Sequence, residues 1–204
     1  MVGQHSTLRA QRRAETQRTI QALAVRLFVE RGYDATTVTD IAEAAGVSPM
    51  TVYRHFPTKE DLVLVDQKGA LVAERIAATS PAQPLVRRIS SALTGGGRPD
   101  DPAAGDAFLL ARLRLMISTP ALRARHLDSH YALQQAIVDA LGDEAADPDA
   151  EFRARAAAGA CLAAMHTALV RWAEDEGRTE LPGLIAQALA AAFGTDAVDI
   201  GPAG

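Results

Sequence analysis

With 204 residues, 48% of them hydrophobic and only 4% aromatic, the chain has the apolar content for a proper core. Alanine, the strongest helix former, is abundant, so an all-α fold packed through small side chains is expected. Cys161 is the lone cysteine, which excludes an intrachain disulfide and a cysteine-based zinc cluster and fits a reducing cytoplasm. The formal net charge of −4 is uneven: residues 1–60 carry eight Lys and Arg against six Asp and Glu, the remainder thirteen against nineteen. That polarity favours an anionic partner at the N-terminal end.

The first eleven residues are polar, lack the apolar stretch of a secretory signal, and are expected to form a flexible arm. Over residues 16–31, Ile20, Leu23, Ala24, Leu27 and Phe28 recur at helical spacing, with Arg12, Arg18 and Arg26 on the other face and Gly32 as the stop. Thr37 can cap a short second helix whose inward stripe is Val38, Ile41, Ala42 and Ala45, and Gly46 ends it. Ser48 is a good N-cap for a third helix, with Pro49 at the first helical position and Pro57 as the breaker. Thr58, with Asp61 three residues on, opens a connecting helix expected over 58–78, in which Leu62, Val65, Gly69, Val72 and Ile76 alternate spacings of three and four.

Further helices are expected at about residues 85–93, 106–118, 121–141, 148–175 and 184–193, punctuated by Pro81, Pro84, Pro120, Gly142 and Pro148. A mobile glycine loop is expected at 94–99 and a flexible tail at 194–204. The most apolar long run, 156–170, is broken by His166 and Thr167 and is shorter than a bilayer span, so no membrane partner is expected. No segment alternates with period two, which leaves no strand candidate. The result is an all-α chain of about nine helices, divided into an N-terminal three-helix domain over 1–57 and a C-terminal helical domain over 58–204.

Helices two and three, with a glycine turn between them, make the helix-turn-helix layout, whose second helix enters the major groove of DNA. On a helical wheel Val52 and Phe56 face inward and Met50 and Arg54 lie opposite; Pro49 and Tyr53 occupy one flank, Thr51 and His55 the other. No acidic residue falls between Gly46 and Lys59, which suits a phosphate-lined groove. Arg54 has the fork that reads guanine O6 and N7, while Pro49, Met50 and the Thr51 methyl suit thymine methyls. Tyr53 and His55 are better placed for phosphates. Lys59 is expected at the start of the next helix, where amides and a cation together favour an anion.

The segments Gly32-Tyr33, Thr36-Thr37-Val38, Ile41-Ala42, Ala45-Gly46-Val47-Ser48, Thr51-Val52-Tyr53-Arg54-His55-Phe56 and Lys59-Glu60-Asp61-Leu62 resemble the TetR/AcrR signature. The resemblance implies a ligand-responsive repressor that binds double-stranded operator DNA as a homodimer and carries a small-molecule site in its C-terminal helices. Carried over by position, it implies phosphate and base contacts at Thr37 and Thr39, phosphate contacts at Tyr53, His55 and Lys59, and a reading face made of Ser48, Pro49, Met50, Thr51 and Arg54.

Over 148–175, Phe152, Ala156, Gly159, Ala163, His166 and Val170 form one stripe, broadened by Ala157 and Ala160, and Leu162, Met165, Leu169 and Trp172 form a second. Such a helix is apolar over more than half its circumference and must be covered on both sides. The last helix, with Leu184, Ile185, Ala188, Leu189 and Ala192, has the same need. A deep position in a monomer core and an interface with a second copy both satisfy it. The family resemblance implies the interface, through Phe152, Ala156, Gly159, Ala160, Ala163, Val170, Leu184, Ile185, Ala188 and Leu189.

Phe108, Leu109, Leu113, Met116, Ile117, Leu122, Tyr131, Leu133 and Ile137 can wall a pocket or fill a solid core; sequence reads the same for both. The resemblance implies a pocket, to which Arg112, Met165, His166, Leu169 and Trp172 are added. Segment 111–125, with Trp172 downstream, is similar to the C-terminal domain of regulators of the mycofactocin-regulator type, which implies an acyl-CoA-like effector. Arg112, Arg114, Arg123 and Arg125 would then meet a nucleotide phosphate, or else serve as surface salt-bridge partners.

Enzyme chemistry finds little support. Cys161 sits among alanines as a small hydrophobe, His166 reads as a pocket or interface polar group, and no glycine-rich phosphate loop follows a strand. His126 and His130 are four apart, with Asp128 between them, a spacing that can hold a metal; no third ligand stands at a convincing position, so neither a metal nor a cofactor is expected. A ligand-responsive DNA-binding repressor is favoured over a DNA-independent helical binding module and over a helical enzyme.

Overall fold

A computed structural model of the chain describes residues 2–64, 68–95 and 102–194. Among the described residues there are nine α-helices, two 3-10 turns and no strand. The chain divides into two compact units, one of residues 1–65 with 114–125, the other of 66–113 with 126–204. Residues 114–125, the end of one helix and the start of the next, therefore group with the N-terminal unit, which a contiguous division at 57/58 does not anticipate.

The first unit contains α1 (Val2–Arg31), α2 (Val38–Ala44), α3 (Pro49–His55) and a 3-10 turn, Glu60–Leu62. Helix α1 starts at Val2, so the expected flexible arm is helical; Leu8, Arg9, Ala10, Gln11 and Ala14 are all good helix formers. The core takes Ile20, Ala24, Leu27 and Phe28 from α1, Val38, Ile41 and Ala42 from α2, Val52 from α3, and then Phe56, Leu62 and Val63. Thr36, between α1 and α2, is fully buried: its hydroxyl donates to the Gly32 carbonyl at 2.9 Å, with the Leu27 carbonyl at 3.3 Å. It thereby ties the loop after α1 back to the end of that helix.

The connecting helix expected over 58–78 does not run through. Thr58 and Asp61 do form reciprocal bonds, Thr58 N–H to Asp61 Oδ2 at 2.9 Å and Asp61 N–H to Thr58 Oγ1 at 3.3 Å. They introduce only the 3-10 turn, and α4 (Lys68–Ala77) begins further on. Leu62, in that turn, and Val63, just after it, are both fully buried.

The second unit holds α4, α5 (Leu85–Thr94), most of α6 (Pro102–Ser118) and α7 (Pro120–Leu141), a 3-10 turn Gly142–Ala145, α8 (Pro148–Glu174) and α9 (Leu181–Phe193). Helix α8 packs most extensively on α9 and also on α5. Ala154, Ala158, Cys161 and Leu162 of α8 meet Val72, Ile76, Ile89, Ile137 and Leu189 in one core. Asp147 caps α8, its Oδ1 accepting from the Asp149 and Ala150 amides at 3.0 and 2.9 Å, and Pro148 takes the first-turn position where its missing N–H is harmless.

Sequence reasoning did not single out Arg88. It is buried on α5, forks onto Glu144 at 2.5 and 3.0 Å, and donates from Nε to Thr79 Oγ1 at 2.7 Å. One side chain so ties α5 to the turn before α8 and to the end of α4. Residues 96–99 of the expected mobile loop and 195–204 of the expected tail lie outside the described residues. Among those described, no helix is long and apolar enough to cross a membrane.

Candidate functional site

Each element of the helix-turn-helix is set by its own capping chemistry. Thr37 caps α2: its hydroxyl accepts from the Asp40 amide at 3.1 Å, and Asp40 Oδ2 accepts from the Thr37 amide at 2.8 Å and from its hydroxyl at 2.6 Å. These bonds hold the Asp40 carboxyl below its ordinary range. They also occupy the Thr37 hydroxyl proton, whereas Thr39 is simply exposed. Gly46, at φ +65°, turns the chain after α2 in a conformation that disfavours a side chain. Ser48 caps α3, accepting from the Thr51 amide at 3.1 Å, with the two hydroxyls 3.0 Å apart.

Fixed by these caps, α3 buries Val52, with Phe56 just beyond it, and turns its remaining face outward. Met50 is 75% exposed and Tyr53 48%. Pro49 and Arg54 are exposed as well, and Thr51 is half-buried. His55 is half-buried, with Nδ1 enclosed and lacking a hydrogen-bond partner. Burial lowers its pKa, helped by the charges of Arg13 and Arg54, so the imidazole stands neutral at neutral pH and offers an N–H rather than a cation.

Lys59 is placed differently from the expectation. Its ammonium points inward, donating to the Tyr33 carbonyl at 2.6 Å and lying 4.3 Å from the Tyr33 ring centroid and 5.6 Å from that of Phe28. The element it begins is the single 3-10 turn, so the helix N-terminus expected to join it in holding an anion is short. Tyr33 in turn donates to Glu60 Oε1 at 3.1 Å, and burial and that carboxylate raise its pKa.

In the second unit, Arg112 is half-buried, with its guanidinium 5.7 Å from the Phe108 ring centroid. Burial pulls its pKa down to about 10, which leaves it a cation at neutral pH. Phe108, Leu109, Met165 and Leu169 are half-buried, while Leu113 and Trp172 are buried. Tyr131 is 73% exposed, so in this chain it does not wall an enclosed pocket. Met116 (buried) and Ile117 (half-buried) belong to the first unit, as does Arg125, which pairs with Asp61 at 3.4 Å on the surface.

Of the expected interface residues, Phe152, Ala156, Ala160 and Ala163 share an exposed face of α8, Phe152 being 73% exposed. Val170, Leu184, Ile185 and Ala188 are half-buried. Ile185 and Ala188 also pack against this chain's own core, and two further positions serve its packing. Leu189 is buried in its core. Gly159 receives the Gln134 amide, which donates to the Arg155 carbonyl at 2.7 Å and lies 2.8 Å from where a Cβ of residue 159 would be.

The expected absence of a third metal ligand is corrected by the fold. Helix α8 brings His166 to the pair on α7: His126 Nε2 and His166 Nδ1 are 3.1 Å apart, and one ligand atom from each of the three imidazoles falls within 4.8 Å of the others. Burial lowers the pKa of His130 and His166, and the neighbouring His166 lowers that of His130 further. Cys161, fully buried, has its thiol pushed up to about 12 by burial and is unreactive.

A capped helix, a glycine turn and a second capped helix with a carboxylate-free outward face define a helix-turn-helix regulator. Residues 20–65 match the bacterial regulatory proteins of the tetR family and residues 84–193 the MftR C-terminal domain. The chain belongs to the tetR family, with a C-terminal domain of the MftR type.

It is 33% identical over 140 residues to the HTH-type transcriptional regulator TcmR of Streptomyces glaucescens, a match covering 65% of this chain and 62% of TcmR. It is 25% identical over 203 residues to MftR of Mycobacterium tuberculosis, named as a mycofactocin biosynthesis transcriptional regulator, with 93% of each chain covered. Among solved structures, the fatty acid degradation regulator FadR from Bacillus halodurans shares the fold at a TM-score of 0.57 and 19% identity, over 88% of this chain and 95% of that one.

Proposed function

We propose that the protein is a transcriptional repressor that binds a near-palindromic double-stranded operator as a homodimer and is released by a small hydrophobic or acyl-CoA-like effector. The observation that carries this reading is the outward face of α3. Met50, Tyr53 and Arg54 project from a helix locked by Val52, Phe56 and the Ser48 cap, and no carboxylate lies between Gly46 and Lys59 to repel phosphates. Arg54 reads a guanine, Pro49, Met50 and Thr51 meet apolar base edges, and Thr39, Tyr53 and His55 position the backbone. With Arg54 the one full charge on that helix, specificity leans on apolar contacts and DNA shape.

The exposed Phe152 beside Ala156, Ala160 and Ala163 supports dimerisation, because a large aromatic amid small residues is an apolar face in need of cover. Arg112, desolvated and beside the Phe108 ring, supports an effector with an apolar body and an anionic group. Helices α6 and α7 each have one end in either unit. They are therefore better candidates than the interrupted 58–78 segment to carry a ligand-induced shift, which needs unequal affinity for the two states.

The test is an electrophoretic shift of the promoter next to the protein's own gene: salt-sensitive binding is expected, and failure to bind any promoter fragment at low salt overturns the repressor reading. Acyl-CoAs screened by thermal shift should include one that also releases the operator. A ligand that saturates the protein and leaves operator affinity unchanged refutes the coupling.

A further inference from the structure

His126 and His130 are one helical turn apart on α7, the i, i+4 spacing by which one helix offers two imidazoles to one ion. His166, forty positions further on, comes from α8. The ring centroids lie 4.3 Å (His126–His130), 5.1 Å (His126–His166) and 5.6 Å (His130–His166) apart. All three are half-buried, with partial access from solvent.

We propose that His126, His130 and His166 form a binding site for a divalent transition-metal ion of the zinc class, with a coordination position left open. Imidazole donors suit Zn²⁺, Co²⁺, Ni²⁺ and Cu²⁺, whereas Mg²⁺ and Ca²⁺ demand oxygen ligands that this cluster does not supply. Two nitrogens bound at about 2.0–2.1 Å in a tetrahedron stand about 3.3 Å apart. The 3.1 Å between His126 Nε2 and His166 Nδ1 is already that spacing. The three ligand atoms all lie within 4.8 Å of one another, so binding would require an imidazole to turn about its side-chain torsions to bring them to that spacing. Three protein nitrogens are one fewer than a closed structural zinc site uses. The fourth position is open to water or to an anionic group of a small molecule.

The proposal is independent of the DNA-binding and effector readings and is tested on the purified full-length protein with the metals alone. Titration with Co²⁺ should give the visible absorption of a nitrogen-ligated ion saturating at one equivalent per chain, and Zn²⁺ should displace it. His130→Ala and the near-isosteric His166→Gln should each weaken Co²⁺ binding by more than about 100-fold, since loss even of an outer-shell partner costs about 10–100-fold. His55→Ala, which removes an imidazole elsewhere, should leave stoichiometry and spectrum unchanged. Because the first measurement uses the unaltered chain, misfolding of a variant cannot mask the result. No Co²⁺ absorption and no heat with Zn²⁺ in the wild type overturns the proposal, and so does a one-equivalent site that survives both substitutions in chains with native circular dichroism.

Discussion

The two units carry their chemistry in different ways. In the N-terminal unit the helix-turn-helix is set largely within a few residues: Thr37 with Asp40, Ser48 with Thr51, Gly46 at the turn, Val52 and Phe56 one turn apart. In the C-terminal unit the telling contacts join residues far apart in the chain, as His126 with His166 and Arg88 with Glu144. A site assembled locally is legible as a motif; a site assembled by helix packing is not, because spacing along a helix says nothing about which helix faces it.

The sharpest way to break this contrast is to remove the packing under the local motif. Phe56→Ala is expected to cost about 3–5 kcal/mol of stability, measured by denaturant unfolding, and to abolish operator binding although no reading residue changes. A variant that loses stability and still binds with full affinity would show that α3 is held by its caps alone.

Arg54→Ala should relax base preference at one operator position at a cost of about 1–3 kcal/mol in binding assays across operator variants. Equal loss on every sequence would remove Arg54 from base reading.

In the other unit, Glu144→Gln leaves the buried Arg88 guanidinium without its counter-charge and should cost about 1–2 kcal/mol at neutral pH. The Arg88 bonds depress the Glu144 pKa in the folded chain. Their contribution is therefore complete above the ordinary carboxyl range and is lost as pH falls through the folded-state value. Acid-unfolding curves of wild type and variant should accordingly converge toward low pH. A gap that persists at the acid end would exclude the charge as its cause.

The smallest effect sharpens the assignment of Lys59. If its remaining N–H groups reach phosphate while one holds the Tyr33 carbonyl, Lys59→Ala should lower the salt slope of DNA binding by about one unit. An unchanged slope with lowered stability assigns Lys59 wholly to pinning the loop at Tyr33.

The sequence alone determined the all-helical class, the order of the helices, both caps of the helix-turn-helix and the inward and outward faces of α3, because capping, glycine turns and helical periodicity act over four residues or fewer. Only the tertiary structure decided that Lys59 bends toward Tyr33, that 58–78 is interrupted, that Gly159 makes room for Gln134, and that Leu189 is buried in its own core. It also decided that a third imidazole meets the pair on α7. Each of these depends on which surface arrives opposite a residue, a quantity fixed by the summed burial of whole helices and not by any local pattern.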